Sequence, residues 1–131
     1  MKTLIVEDDF TSRMILQEIL KHYGSTHIAV NGKEAVAAVR AALDEEQPYD
    51  LICLDIMMPE MDGQQALRLI REQEEAMGIL SNRGAKIIMT TALDDARNVM
   101  SAFNNLCDGY LTKPIRKSTL IEKLQQLEVI G

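Results

Sequence analysis

The chain has 131 residues, 47% of them hydrophobic and 26% charged, which suits one soluble globular domain with a full core and excludes a fibrous or disordered composition. Its net charge of −6 and isoelectric point near 4.9 argue against direct binding to nucleic acid, which needs clustered Lys and Arg, and favour a cation or a basic partner surface. The apolar start, Met1 to Val6, meets acid at Glu7 and is too short for a leader or a membrane span, so a cytoplasmic location without membrane insertion is expected.

Lys2 to Val6 reads as a strand that stops at Glu7-Asp8-Asp9. From Phe10 to Tyr23, Met14, Ile15, Ile19, Leu20 and Tyr23 recur at helical spacing; Asp9 is the expected cap and Gly24 the closing residue. Thr26 to Val30 is a shorter, less apolar strand suited to a sheet edge, followed by an Asn31-Gly32 turn. Lys33 to Leu43 is helical through Ala35, Val36, Ala38, Val39, Ala42 and Leu43, small residues that allow close packing on a sheet, and Pro48 ends the connection.

Leu51 to Leu54 is uninterrupted apolar sequence, as a central parallel strand covered on both faces requires, and it delivers Asp55 at its end. Asp62 reads as a turn residue before Gly63. Gly63 to Met77 then repeats Ala66, Leu67, Leu69 and Ile70 at helical spacing, with Glu72, Glu74 and Glu75 expected as a solvated polar end. After a loop from Gly78 to Gly84, Lys86 to Thr91 is a fourth strand ending in two hydroxyls, Thr90 and Thr91. Asp94 and Asp95 open a fourth helix with Ala96, Val99, Met100 and Phe103 facing inward. Gly109 to Thr112 is a fifth strand running into Lys113-Pro114, and Ser118 to Val129 is a final helix, capped by Ser118 and buried through Leu120, Ile121, Leu124 and Leu127.

Five strands alternating with five helices, joined by right-handed crossovers, imply an α/β fold: a doubly wound parallel sheet in the order 2-1-3-4-5. That order is owed to the precedent of the flavodoxin-like folds as well as to the connection rules. A single domain over residues 1–131, with no attached output domain, is the expected organisation. Cys53 and Cys107 lack metal or redox spacing and are expected to be buried free thiols, while His22 and His27 are read as ordinary surface or packing residues. Met57, Met58 and Met61 are expected to pack adaptably rather than to ligate.

In such a sheet the carboxyl ends of strands one, three, four and five share one crevice, and the residues there are Glu7-Asp8, Asp55, Thr91 and Lys113. Three carboxylates crowded together call for a hard cation with oxygen ligands, and Mg²⁺ is the metal expected. An ammonium and a hydroxyl beside that cluster would form a receptor for phosphoryl oxygens, with the carboxylate of Asp55 as nucleophile.

The runs Leu4-Ile5-Val6-Glu7-Asp8-Asp9, Leu54-Asp55-Ile56-Met57-Met58-Pro59-Glu60-Met61-Asp62-Gly63, Met89-Thr90-Thr91-Ala92 and Asp108-Gly109-Tyr110-Leu111-Thr112-Lys113-Pro114 resemble the receiver domains of two-component response regulators, and the length resembles the stand-alone chemotaxis type, the CheY-like members. The resemblance implies a phosphoacceptor signalling switch and not a turnover enzyme. Asp55 would take a phosphoryl group from a histidine kinase or histidine phosphotransfer protein in a phosphorelay, with Mg²⁺ held by Glu7, Asp8, Asp55 and the backbone carbonyl of Met57. Thr91 and Lys113 would contact the phosphoryl oxygens, Ala92 would leave access to the site, Thr91 and Tyr110 would form the switch, and Lys113-Pro114 would be a cis peptide bond. The responding face would lie on the fourth helix, fifth strand and fifth helix, offered to a downstream protein that the residues do not name.

Met57 and Leu93, each two positions beyond a matched residue, are apolar where some relatives carry polar groups; they are expected to restrict water and prolong the phosphorylated state. Gln73 to Gly84 is longer than in the shortest relatives. A haloacid-dehalogenase-like phosphohydrolase would need a second aspartate at position 57, where Met stands. A flavodoxin-like carrier would need a phosphate loop after strand one in place of Glu7-Asp8-Asp9, together with aromatics to hold a flavin. A degenerate receiver would have lost the acceptor, the acids or the lysine, all of which are present.

Overall fold

The computed structural model describes residues 1–58, 60–80, 83–92 and 106–131. Five parallel strands, β1 (Thr3–Val6), β2 (Thr26–Ala29), β3 (Leu51–Asp55), β4 (Lys86–Thr91) and β5 (Gly109–Thr112), form one sheet in the order β2-β1-β3-β4-β5. The doubly wound order expected from the alternation is therefore observed. β3 and β4 run through the middle with almost no polar side chain before their last residues, because parallel strands covered on both faces have no solvated side to accommodate one. β2 sits at the edge, with His27 and Ile28 exposed.

Side chains alternate between the two faces. Leu4, Val6, Ile52, Leu54, Ile87 and Met89 point toward helices α2 (Gly32–Asp44) and α3 (Gly63–Ala76), meeting Ala35, Val39, Ala66, Leu67 and Ile70. Ile5, Leu51, Cys53, Ile88 and Leu111 point to the other side, against Leu16, Ile19 and Leu20 of α1 (Phe10–Leu20) and Leu120 and Leu124 of α4 (Lys117–Gln126). No helix among the described residues is long and apolar enough to cross a membrane. Cys53 and Cys107 are buried free thiols; burial pushes the Cys53 thiol up to about 12.

The helix ends differ from expectation in instructive ways. α1 stops at Leu20 and tightens into a 3-10 turn over Lys21–Tyr23 before Gly24, whose φ of 144° and close approach to the Met1 backbone require glycine. Its inward face is Leu16, Ile19 and Leu20, whereas Met14 and Ile15 are exposed. Asp9 caps it, accepting from the Ser12 amide at 2.8 Å. Asp62 does more than turn the chain: it caps α3, accepting from the Gln65 amide at 2.9 Å. α4 is preceded by Arg116, which makes no side-chain cap bond, so Ser118 is not the cap. The helix also ends three residues short of the expected Val129.

Helices α2, α3 and α4 all close in one way. Glu46 donates to Leu43 O and Gln47 to Ala42 O; Gly78 donates to Glu75 O and Ile79 to Glu74 O; Glu128 donates to Gln125 O and Val129 to Leu124 O. These paired bonds satisfy the last carbonyls of each helix and place Glu46, Gly78 and Glu128 at φ of 59°, 77° and 61°. Only the middle one is glycine, which is why the other two ends are hard to see in the sequence.

Glu74 corrects the expected polar end of α3: it is buried, not solvated. Its carboxylate accepts from Arg71 Nη1 at 2.7 Å and from the Ala85 amide at 2.7 Å. The same guanidinium donates to Ala85 O, Leu106 O and Asp108 Oδ2, and Asp108 Oδ2 accepts from the Ile87 amide at 2.8 Å. One arginine thus ties α3 to the entrances of β4 and β5. Gly84 leaves the room that the Glu74 carboxylate occupies. The expected helix from Asp94 to Phe103, and Leu93 with it, lie outside the described residues.

Candidate functional site

The strand register brings the expected residues to one end of the sheet. β1, β3 and β4 are in step, Val6 beside Leu54 and Asp55 beside Thr90, so Glu7 follows directly after β1 at the level where Asp55 ends β3. Glu7 and Asp55 are buried, whereas Asp8 is exposed. One carboxylate oxygen from each of the three acids lies within 4.8 Å of the others. Lys113, just beyond β5, reaches in between: its Nζ is 3.0 Å from Glu7 Oε2, 3.1 Å from Glu7 Oε1 and 3.4 Å from Asp55 Oδ2.

Glu7 is held from two further directions. Its Oε1 accepts from the Asp9 amide at 3.2 Å, and its backbone carbonyl accepts from Arg13 Nη1 at 3.2 Å. Oε2, although close to Lys113, is buried without a well-directed hydrogen-bond donor. One ammonium facing three carboxylates leaves the cluster net negative, and an all-oxygen donor set with an orphaned buried oxygen fits a hard divalent cation.

These charges act on one another. Burial, then the negative charge of Glu7, push the Asp55 carboxyl up to about 7 against the opposing pull of Lys113. Burial works against the Lys113 ammonium, but its hydrogen bond to Glu7 and the charges of Asp55 and Glu7 outweigh that, and its pKa is raised.

The remaining expected residues surround this centre. Thr91 ends β4 fully buried, and its hydroxyl donates to the Ala92 carbonyl at 3.3 Å. Tyr110, in the middle of β5, packs against the core on the α2–α3 side, and burial and the Cys107 thiol raise its pKa. The Lys113-Pro114 bond is cis. Met57 is the most exposed large apolar side chain among the described residues, at 66%. Behind it, Met58 and Met61 pack on the core, and the Met61 carbonyl accepts from the Gly32 amide at 3.2 Å, joining the loop to the start of α2. Gly63 lies so close to the Asp55 carbonyl that a Cβ would collide with it, which brings the start of α3 onto the end of β3.

Two features escape residue-type reasoning. Arg13 reaches the site from α1 through a backbone carbonyl, which no spacing rule signals. Phe10 and Met14, one turn apart on α1, the helix that starts directly after Glu7-Asp8-Asp9, are exposed, Phe10 at 63%. An apolar pair on the outer side of an amphipathic helix is the signal that could have found them.

Residues 3–125 match the model of the response regulator receiver domain. The chain belongs to that family. It is 32% identical to the chemotaxis protein CheY of Halobacterium salinarum, covering 96% of this chain and 95% of that one. It is 35% identical to probable histidine kinase 2 of Oryza sativa subsp. indica, covering 93% of this receiver but only 12% of the kinase. Among solved structures, the receiver domain of Saccharomyces cerevisiae Ssk1, in complex with the histidine phosphotransfer protein Ypd1, superposes with a TM-score of 0.80 at 32% identity over 97% of this chain and 88% of that one. The receiver domain of sensor histidine kinase PA1611 from Pseudomonas aeruginosa PAO1, with magnesium in its active-site cleft, gives 0.76 at 28% identity over 98% of both chains. Receiver domains act in phosphorelay signalling as regulatory phosphoacceptors, and this one retains an acidic cluster able to bind a metal.

Proposed function

We propose that this receiver is a phosphoacceptor switch in which Asp55 takes a phosphoryl group from a phosphohistidine on a kinase or phosphotransfer protein. The observation that carries the reading is the convergence at one end of the sheet of the Glu7, Asp8 and Asp55 carboxylates, one oxygen of each within 4.8 Å of the others, with Lys113 ion-paired to Glu7 and Asp55. An ionised Asp55 oxygen forms the new P–O bond as the P–N bond to the donor imidazole breaks, its electron pair staying on the nitrogen. Glu7, Asp8 and Asp55, with the Met57 carbonyl, would hold Mg²⁺, whose charge would offset the phosphoryl oxygens and favour ionised Asp55.

Lys113 exchanges its ion pairs with Glu7 and Asp55 for the phosphoryl oxygens. Thr91 turns its hydroxyl from the Ala92 carbonyl toward the same group. The space it leaves on the α2–α3 side is the one Tyr110 moves toward, and β5 and α4 carry that change to a downstream protein. The exposed Phe10 and Met14, on the helix that begins directly after Glu7-Asp8-Asp9, offer an apolar footing for the phosphohistidine donor. Residues 1–131 are taken as one receiver unit working in the cytoplasm, its chemistry limited to gaining and losing its own phosphoryl group.

Incubation with Mg²⁺ and acetyl phosphate, followed by intact-mass measurement, is expected to add one phosphoryl group to the wild type and none to Asp55→Asn. A wild type that gains no mass overturns the proposal. Met57→Asn introduces an amide that can position water at the same mouth, and its phosphorylated form is expected to decay several-fold faster, about 1 kcal/mol off the barrier. A dephosphorylation time course indistinguishable from wild type would remove Met57 from control of signal lifetime.

A further inference from the structure

Glu7 stands one residue beyond β1, at the point where the chain leaves the sheet. Its amide makes a last ladder bond, to the Ala29 carbonyl at 3.0 Å. Its own carbonyl is met from α1, by Arg13 Nη1 at 3.2 Å. The guanidinium carbon of Arg13 lies 5.5 Å from the centre of the Phe10 ring, three residues earlier on the same helix, so a cation–π contact holds the head group from a second side.

One residue therefore ties down both ends of the acid loop. The Arg13 amide donates to the Asp9 carbonyl at 2.9 Å while its side chain holds the Glu7 carbonyl, and Asp8 lies between those two points. Inside the loop, the Asp9 amide donates to Glu7 Oε1 at 3.2 Å. Asp8 is exposed, yet one of its carboxylate oxygens lies within 4.8 Å of oxygens from Glu7 and Asp55. An exposed side chain has little packing to direct it, so the backbone beneath it sets that approach. An arginine beside three acids ordinarily pairs with one of them, and its charge opposes a cation there. Arg13 reaches a carbonyl instead, which leaves the carboxylate oxygens to other partners.

The geometry points to Arg13 as a positioning residue for the metal: it clamps the backbone from Glu7 to Asp9 so that the Glu7 and Asp8 carboxylates converge with Asp55 on one cation. The assignment rests on those acids being the Mg²⁺ ligands. Arg13 itself touches neither the metal nor the phosphoryl group. Lys113 holds the Glu7 carboxylate at 3.0 and 3.1 Å, but it is the group that leaves for the phosphoryl oxygens. The clamp on the backbone stays when that ammonium moves, and the metal site keeps its shape through phosphoryl transfer.

Loss of the charge and loss of the clamp act with opposite signs on metal affinity, which makes the test decisive. Arg13→Met removes both, and Arg13→Lys keeps the charge and a donor on a stem of similar length. The buried face of α1 is carried by Leu16, Ile19 and Leu20, so both variants should fold, as thermal unfolding in chelator will check. Calorimetric titration with Mg²⁺ is expected to give Arg13→Met a dissociation constant roughly three- to tenfold higher than wild type, with Arg13→Lys recovering most of the affinity. Unchanged or tighter binding by Arg13→Met overturns the assignment, since only the repulsion between guanidinium and cation would then remain. Equal weakening in both variants also overturns it, tracing the loss to something other than the donated bond. The titration makes no use of phosphoryl uptake. A wild type that binds Mg²⁺ but gains no phosphoryl mass therefore fails the acceptor reading and leaves the comparison of variants to decide Arg13. A wild type that binds no Mg²⁺ overturns the assignment together with the metal reading.

Discussion

Arg71→Met is expected to lower folding stability by about 3–5 kcal/mol, read as a fall in the midpoint of urea unfolding without a change in slope. The guanidinium is the donor for the buried Glu74 carboxylate, for two backbone carbonyls and for Asp108, and its side chain is only 16% exposed. Removing it strands Glu74 as an under-compensated buried charge, and that stranded charge outweighs the lost contacts. Arg71→Met combined with Glu74→Leu is therefore expected to recover most of the loss, because the charge leaves with its partner. A single variant within about 1 kcal/mol of wild type would show that the network contributes little. The network lies at the entrances of β4 and β5, opposite the acids, so folded Arg71→Met protein should still take up phosphoryl groups.

Without Mg²⁺, the wild type is expected to lose stability as pH rises from about 4 to about 7, by about 1–4 kcal/mol from Asp55. The sign follows from proton binding. The folded-state pKa of Asp55 is raised to about 7 from an ordinary 3.8, so between those values the native state holds a proton that the unfolded state has released. Stability falls through that window and stays low above it. Asp55→Asn abolishes the dependence and should be the more stable protein at pH 8, measured by thermal unfolding in chelator. Added Mg²⁺ should raise the wild-type Tm at pH 8 and raise that of Asp55→Asn less, since the variant presents one acid fewer. A metal-free wild type equally stable at pH 5 and pH 8 would mean that Lys113 alone compensates the buried acids. Asp9, whose carboxyl is held low by the Ser12 amide, acts with the opposite sign, but below that window.

Much of this was legible in the residues because the signals are local and repeated. The uninterrupted run Leu51 to Leu54 could only be a covered central strand, and the acids, hydroxyl and lysine sit where chain direction alone assigns them to one edge once the sheet is parallel. Asp9 as a cap and two buried thiols needed nothing beyond their neighbours in sequence. Three features depended on tertiary contacts. Glu74 looks like any surface glutamate after Glu72, and only Arg71, the Ala85 amide and the space beside Gly84 make its burial tolerable. Glu46 and Glu128 end their helices in a conformation ordinarily left to glycine, because the carbonyls of α2 and α4 find their donors there. Met14 and Ile15 share the helical period of α1 with its buried residues, yet the sheet covers Leu16, Ile19 and Leu20 instead.

The sequence by itself determined which segments are strands and the identity of the groups that follow them, since hydrophobic period and strand direction are properties of the chain; the strand order needed the precedent of related folds as well. Only the tertiary structure decided how those groups stand toward one another. Lys113 rests closer to Glu7 than to Asp55, the Thr91 hydroxyl faces the Ala92 carbonyl, and Thr90, not Thr91, shares a face with the acceptor. Register and burial set those relations, through distances that no spacing along the chain encodes.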